Sequence, residues 1–267
     1  MELGLAGKSV ILSGGSKGIG CAIAEELARE GAHVAIAARG RAALDETVAA
    51  IRADGGSAMG IQADMTDRAG IESAVAQATQ AFGAPDIAIS NIYAPDARRG
   101  SSFHLSFEDA DFEEGHRDLL MSVVHLTRAV LPGMKQKRWG RLINIGSHTA
   151  KEPHGPPTQM MLSNTGRLAV AGLMKTLAFE YGRYNITANI AATGQFATDL
   201  AREAYAAKGT SIEAYEEQVM KPSGLGACRF GRPEEMAALV AFLCSTRASF
   251  VNGETITVTG GMHKTLF

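Results

Sequence analysis

The sequence predicts a doubly wound α/β fold, one domain over residues 1–267 with a seven-stranded parallel sheet and helices on both faces. Three observations carry the prediction. Short β-branched apolar runs alternate with longer stretches of helical period along the whole chain. The runs are apolar throughout rather than every second residue, which marks strands buried on both faces. Thirty glycines among 267 residues punctuate that alternation, with no internal repeat or low-complexity linker.

In order, residues 8–13 read as the first buried strand and 19–30 as the helix behind it. Residues 32–38 give the second strand and 41–53 the second helix. Five more strands are expected at 57–62, 86–90, 140–146, 186–191 and 255–258, with helices near 67–82, 107–137, 160–183 and 233–245. One stretch breaks the rhythm: 198–229 is polar and helix-prone and lies between the sixth and seventh strands. Ligands of such sheets bind beyond the carboxyl ends of the strands, so this insertion is a candidate substrate lid. Met220, Leu225 and Phe230 near its end hint at an apolar pocket and fit a helix packing face equally well.

Composition removes several classes of function. With 26 basic against 28 acidic residues and 6% aromatics, the chain lacks the cationic excess and stacking platforms of nucleic-acid binding, or the charge for an anionic membrane. Runs such as 237–244 are too short to span a bilayer. Residues 1–7 hold no basic region followed by an apolar run, so the expected compartment is the cytoplasm. Cys21, Cys228 and Cys244 have neither bridging nor metal-ligand spacing, and no metal is expected.

The chemistry starts behind the first strand, at Gly14-Gly15-Ser16-Lys17-Gly18-Ile19-Gly20 opening a helix. Glycines let the backbone turn tightly and approach a pyrophosphate, whose charge the helix N-terminus favours. In the first strand–helix unit of an alternating chain this is a Rossmann-type dinucleotide loop. At the end of the second strand, where an acid would hold a ribose 2′-hydroxyl, the chain has Arg39. Arginine pairs with a 2′-phosphate that an acid would repel, and Lys17 adds a cation, so NADP(H) is the expected cofactor.

The spacing Gly14-x-x-x-Gly18-x-Gly20 resembles the short-chain dehydrogenase/reductase family, and the likeness runs the length of the chain. Ala63-Asp64-Met65 is similar to the family's adenine-contacting D-V pair, and Asp86-Ile-Ala-Ile-Ser-Asn91 to its D-I-L-V-N-N segment. Gly140-Arg-Leu-Ile-Asn-Ile-Gly-Ser147, Asn185-Ile-Thr-Ala-Asn189, Thr193-Gly194, Arg229-Phe-Gly-Arg-Pro-Glu-Glu235 and Val258-Thr-Gly-Gly261 match later family segments. The flavour is that of the 3-oxoacyl-ACP reductase-like branch. The resemblance implies that Asp64, Met65, Asn91 and Gly194 belong to the cofactor site. It also implies a carbonyl or alcohol substrate, and a homotetramer or homodimer assembled through the two long middle helices.

The departures concern the family's catalytic Asn, Ser, Tyr and Lys. Ser147 matches the serine, but Leu119 stands for the asparagine, Ser163 for the tyrosine and Arg167 for the lysine. None of the five tyrosines has a lysine four residues on, so Y-x-x-x-K is absent. Leu162-Ser-Asn-Thr-Gly-Arg167 resembles a minority branch that reads L-S-N-x-x-R. An alkyl hydroxyl such as Ser163 is too weak an acid to replace tyrosine near neutrality, and Arg167 stays charged, suited to a ribose or an oxyanion but not to proton shuttling. Tyr93 at the end of the fourth strand, His148 and His154 are the candidate proton donors.

Three readings follow. The favoured one is an NADP(H)-dependent oxidoreductase with a non-standard catalytic set. The others are a cofactor-binding protein with little redox turnover, acting as a sensor or partner subunit, and a non-redox lyase or isomerase on the same fold.

Overall fold

The computed structural model describes residues 2–93, 107–153, 160–224 and 226–266. Seven strands form one parallel sheet in the order β3-β2-β1-β4-β5-β6-β7. They are β1 Ser9–Ser13, β2 His33–Ala38, β3 Ser57–Gln62, β4 Ile87–Ser90, β5 Gly140–Ser147, β6 Ile186–Thr193 and β7 Thr255–Val258. The helices are α1 Gly18–Arg29, α2 Arg41–Ala53, α3 Arg68–Phe82, α4 Asp109–Gly115, α5 Ser122–Lys137, α6 Met161–Tyr181, α7 Asp199–Ala206, α8 Ile212–Tyr215, α9 Lys221–Ser223 and α10 Pro233–Cys244.

Successive strand residues face opposite sides, and both sides are apolar, as the continuous runs predict. Val10, Leu12, Val34, Ile36, Ile87, Ile89, Ile143 and Ile145 pack on one face with Leu27 of α1, Leu44 of α2 and Met236 and Val240 of α10. Ile11, Ala35, Ala37, Ala88 and Leu142 turn to the other, against Ile71 of α3, Leu126 and Val130 of α5 and Val170 and Met174 of α6. Each of the Val, Leu, Ile and Met side chains among them contributes roughly 2 kcal/mol on leaving water.

Helix boundaries follow local chemistry. The Asp67 carboxylate accepts the Gly70 N–H at 2.9 Å and starts α3, and Gly83, at φ 81°, ends it. At the start of α10 the Glu235 carboxylate accepts the Arg232 N–H at 2.7 Å, with Pro233 in the first turn. The helix expected across 107–137 runs unbroken from Asp109 to Lys137, with a π-helical turn, His116–Met121, between α4 and α5. There α6 approaches closely, because a Cβ on Gly166 would lie 2.8 Å from Leu119 Cδ1. Tertiary packing of that kind leaves no mark on the hydrophobic period.

The insertion contains α7, α8, a second π-turn at Glu216–Met220 and α9. Of the two readings open for Met220 and Phe230, the structure shows the packing face. They are buried with Ile212 in a small core of the insertion's own, edged by Tyr205 and Tyr215. Leu225 lies outside the described residues.

Candidate active site

The strand order reverses between β1 and β4, so a crevice opens beyond their carboxyl ends. Gly14 leaves β1 at φ 70°, and a Cβ there would sit 2.2 Å from the Asn91 carbonyl oxygen beyond β4. A Cβ on Gly20 would sit 2.1 Å from the Gly14 carbonyl oxygen, so only glycine closes the loop onto α1. Asn91 braces the same turn: its N–H donates to Ser13 Oγ at 3.0 Å and its Nδ2 to the Gly14 carbonyl at 2.9 Å. Thr47 of α2 donates its hydroxyl to the Ser16 carbonyl at 3.2 Å. Lys17 is exposed just before α1, and Ile19 packs inward against the core. This side-chain-free cradle at a helix start fits a dinucleotide pyrophosphate.

Arg39 is exposed at the end of β2, and its carbonyl accepts Gln62 Nε2 at 3.0 Å. Asp64, beyond β3, feels burial that would raise its pKa. The Thr66 N–H and hydroxyl that donate to it, together with the charges of Arg39 and Arg117, win and hold it below the usual carboxylate range. Nothing in the sequence pattern marks Arg117, which comes from the π-turn. The Met65 side chain, beside Asp64, is buried in the core with Ile71 and Ala74.

At the other side of the crevice, β5 ends at Ser147, which pairs in register with Thr193 at the end of β6. Thr149 N–H and the Thr149 hydroxyl both donate to Ser147 Oγ, at 3.2 and 3.0 Å. His148 opens a 3₁₀ turn, and its Nδ1 lies 2.9 Å from the Thr193 carbonyl oxygen. Gly194 leaves β6 where a Cβ would meet Thr259 at 2.9 Å. Thr198, with no prior signal, brings its methyl against Gly18, where a Cβ would lie 3.2 Å from it.

Ser163 is fully buried on α6. Its Oγ accepts Arg167 Nε at 3.0 Å, while Arg167 Nη1 donates to the Ile145 carbonyl at 2.9 Å. Expected to share a helix face, the two are thus joined, and they fix the guanidinium behind the end of β5. Leu119 is buried in the π-turn. Tyr93 is 47% exposed beyond β4, away from the packed core. His154 lies outside the described residues.

The C-terminal segment adds groups the sequence did not flag. His263 stands edge-to-face with His148, ring centroids 6.2 Å apart, and Lys264 N–H donates to the Glu152 carboxylate at 2.8 Å. Among the described residues no group of three or more His, Cys, Asp or Glu is placed to hold a metal ion, and no helix is long and apolar enough to cross a membrane.

The family model described as Enoyl-(Acyl carrier protein) reductase matches residues 14–263. Dehydrogenase/reductase SDR family member 4 of Oryctolagus cuniculus is 34% identical over 263 residues, 96% of this chain and 94% of that protein. The 3-oxoacyl-acyl-carrier-protein reductase FabG of Haemophilus influenzae is 33% identical over 260 residues, 97% of this chain and 99% of its own. Among solved structures, L-sorbose reductase from Gluconobacter frateurii, complexed with NADPH and L-sorbose, superposes over 100% of both chains with TM-score 0.89 at 30% identity. With the glycine cradle, the sheet order and these full-length likenesses together, this chain belongs to the short-chain dehydrogenase/reductase family.

Proposed function

We propose that this chain is an NADP(H)-dependent oxidoreductase that interconverts a carbonyl and a secondary alcohol, with Ser147, Ser163 and Arg167 in place of the usual tyrosine–lysine set. The observation that carries the cofactor reading is Arg39, exposed at the end of β2 where an NAD-preferring site would place an acid. The NADPH complex of the sorbose reductase, alike over the full chain, supports it.

The bound nicotinamide supplies the hydride. This chain's residues bind and orient. Gly14, Gly18 and Gly20 admit the pyrophosphate, and Lys17 and Arg39 meet negative charge at the adenosine end. Thr149 donates twice to Ser147 Oγ, occupying both lone pairs. The Ser147 hydrogen is then committed to donating, which suits a carbonyl oxygen that gathers charge as it becomes an alkoxide. Arg167, always protonated and held by Ser163 and the Ile145 carbonyl, adds positive charge behind that position. Residues 198–229, resting on their own apolar core, act as a lid over the substrate.

The partner reading is a homodimer or homotetramer through α5 and α6. Its support is the outer face of α6, where Leu168 and Phe179 are exposed and Gly172 faces open space. Sedimentation of the purified chain tests it.

Full burial of Ser163 favours the second reading, a cofactor binder with little turnover, since that hydroxyl has no path to a substrate. Calorimetric titration with NADPH and NADH, followed by a carbonyl panel, separates the two. Tight NADPH, weak NADH and turnover are expected; tight NADPH with no turnover on any carbonyl favours the binder.

A further inference from the structure

The geometry points to His148 as the group that exchanges the proton of the reaction, its ring lying across the carboxyl ends of β5 and β6 and backed by Glu152 and His263. The inference rests on the oxidoreductase reading and fills the place left by the missing tyrosine.

Carbonyl reduction needs a proton as well as a hydride, and the set already described offers no acid of suitable strength. Ser147 and Ser163 are alkyl hydroxyls, and Arg167 keeps its proton at any working pH. An imidazole titrates in the needed range. His148 follows Ser147 directly, but its ring turns toward β6, where Nδ1 meets the Thr193 carbonyl at 2.9 Å. A carbonyl oxygen only accepts, so Nδ1 carries hydrogen in both protonation states, and Nε2 is the position that gains and loses a proton. Thr193 is the register partner of Ser147. The imidazole therefore occupies the crevice side of the sheet, from which the insertion at 198 departs.

The groups facing the ring come from three elements. From its own turn, Glu152 is adjacent, while Lys151 reaches away to the Thr255 carbonyl at 3.2 Å. From the C-terminal segment, His263 stands edge-to-face with the ring and Lys264 ties its N–H to Glu152. From β6, the Thr193 carbonyl holds Nδ1. The Lys264 N–H draws the Glu152 carboxyl below its ordinary range despite some burial, helped by the charges of His263, Lys264 and His148. Glu152 is thus an anion near neutrality, one turn from His148, whose carbonyl accepts the Glu152 N–H at 3.1 Å. The same segment places Met262 against the insertion's apolar core of Ile212, Met220 and Phe230, which couples the histidine pair to the lid.

The step balances. As the hydride from the reduced nicotinamide reaches the carbonyl carbon, the C=O π pair moves onto oxygen. The Nε2–H bond of the His148 imidazolium breaks, and its proton forms the new O–H bond. Neutral His148 then recovers a proton from water. In the oxidative direction neutral His148 accepts the alcohol proton.

The test pairs a ligand-free readout with kinetics. In ¹⁵N NMR of the apoprotein, the His148 imidazole is assigned by its loss in His148→Gln. Its neutral ring is expected to carry hydrogen on Nδ1, the tautomer in which Nε2 is the exchanging position. In kinetics, His148→Gln loses about a hundredfold in kcat and the acid-dependent limb of the pH profile, while calorimetric NADPH affinity stays within about twofold. Imidazole added to His148→Gly restores turnover. His148→Gln with the parent's kcat and pH profile overturns the inference, and so does a neutral His148 that carries its hydrogen on Nε2. Should the His148 variants fail to fold, the tautomer of the parent's ring, assigned through its backbone resonances, still decides. A parent that binds NADPH and reduces no carbonyl overturns the oxidoreductase reading and this inference together. A parent that turns over beside an unchanged His148→Gln overturns this inference alone.

Discussion

The two sides of the crevice are built differently. On the cofactor side, β1, α1 and the end of β4 meet backbone to backbone: the position a Cβ would take on Gly14 or Gly20 is already filled by a carbonyl oxygen. On the substrate side, side chains do the work, and they arrive from far apart. His148 meets a carbonyl 45 residues away, and Glu152 holds an N–H 112 residues away. A site made of backbone tolerates one residue type and is written locally. A site made of side chains can exchange its chemistry while the frame stays, which is how Ser163 and Arg167 come to occupy an otherwise familiar sheet.

The comparison breaks most sharply at Gly20. Gly20→Ala pushes a methyl group into the Gly14 carbonyl, which should cost about 2–4 kcal/mol in denaturant unfolding and weaken NADPH binding about a hundredfold or more. An Ala variant that binds as the parent does would mean the loop is not the cradle.

Next is Arg39→Asp. It removes a charge-assisted contact to the 2′-phosphate and adds repulsion, for an expected loss of roughly a hundredfold in NADPH affinity, with NADH gaining in relative terms. Unchanged NADPH affinity by calorimetry would remove Arg39 from the site.

On the substrate side, Thr149→Val keeps the shape but frees one lone pair of Ser147, so the serine hydrogen is no longer committed to substrate. A drop of roughly threefold to tenfold in kcat, recovered in Thr149→Ser and without change in NADPH affinity, is expected. Equal losses in Val and Ser variants would point to packing instead.

That these effects could be foreseen unevenly follows from the same contrast. The strands were legible because burial on both faces leaves continuous apolar runs, and the loop because glycine spacing reports backbone closeness. Arg39 was legible only as a cation placed just after β2. The π-turn at His116–Met121 was not, since it depends on α6 passing Leu119 across Gly166. Met65 was assigned by likeness, and its inward side chain shows only in packing. The insertion's Met220 and Phe230 pointed to apolar burial without saying against what. His263 and Glu152 carry no local signal: their meaning depends on where the chain's end returns.

The smallest effect lies where the insertion rejoins the fold. Glu235 receives two hydrogen bonds from Arg229, at 2.8 and 2.6 Å, and one from the Arg232 N–H at 2.7 Å. The Arg229 bonds, with the Arg232 N–H, draw its carboxyl from the ordinary 4.5 down to about 2. A depressed carboxyl stabilises the fold fully above its unfolded value and loses that contribution as pH falls through the folded one. Glu235→Gln should therefore lower Tm by about 2–4 °C at neutral pH. The gap to the parent should close as pH falls from 4.5 toward 2. A gap that does not vary with pH would separate the capping role from the charge.

The central claim, that a short-chain dehydrogenase/reductase fold without its tyrosine and lysine still moves hydride, is tested most directly by deuterium transfer. The purified chain is incubated with NADPH deuterated at the nicotinamide C4 and a panel of ketones and aldehydes, and the products are read by mass spectrometry. The account predicts deuterium on the carbinol carbon of at least one alcohol, dependent on Ser147. Tight NADPH binding with no deuterium in any product would contradict it and leave a cofactor-binding protein that does no redox chemistry.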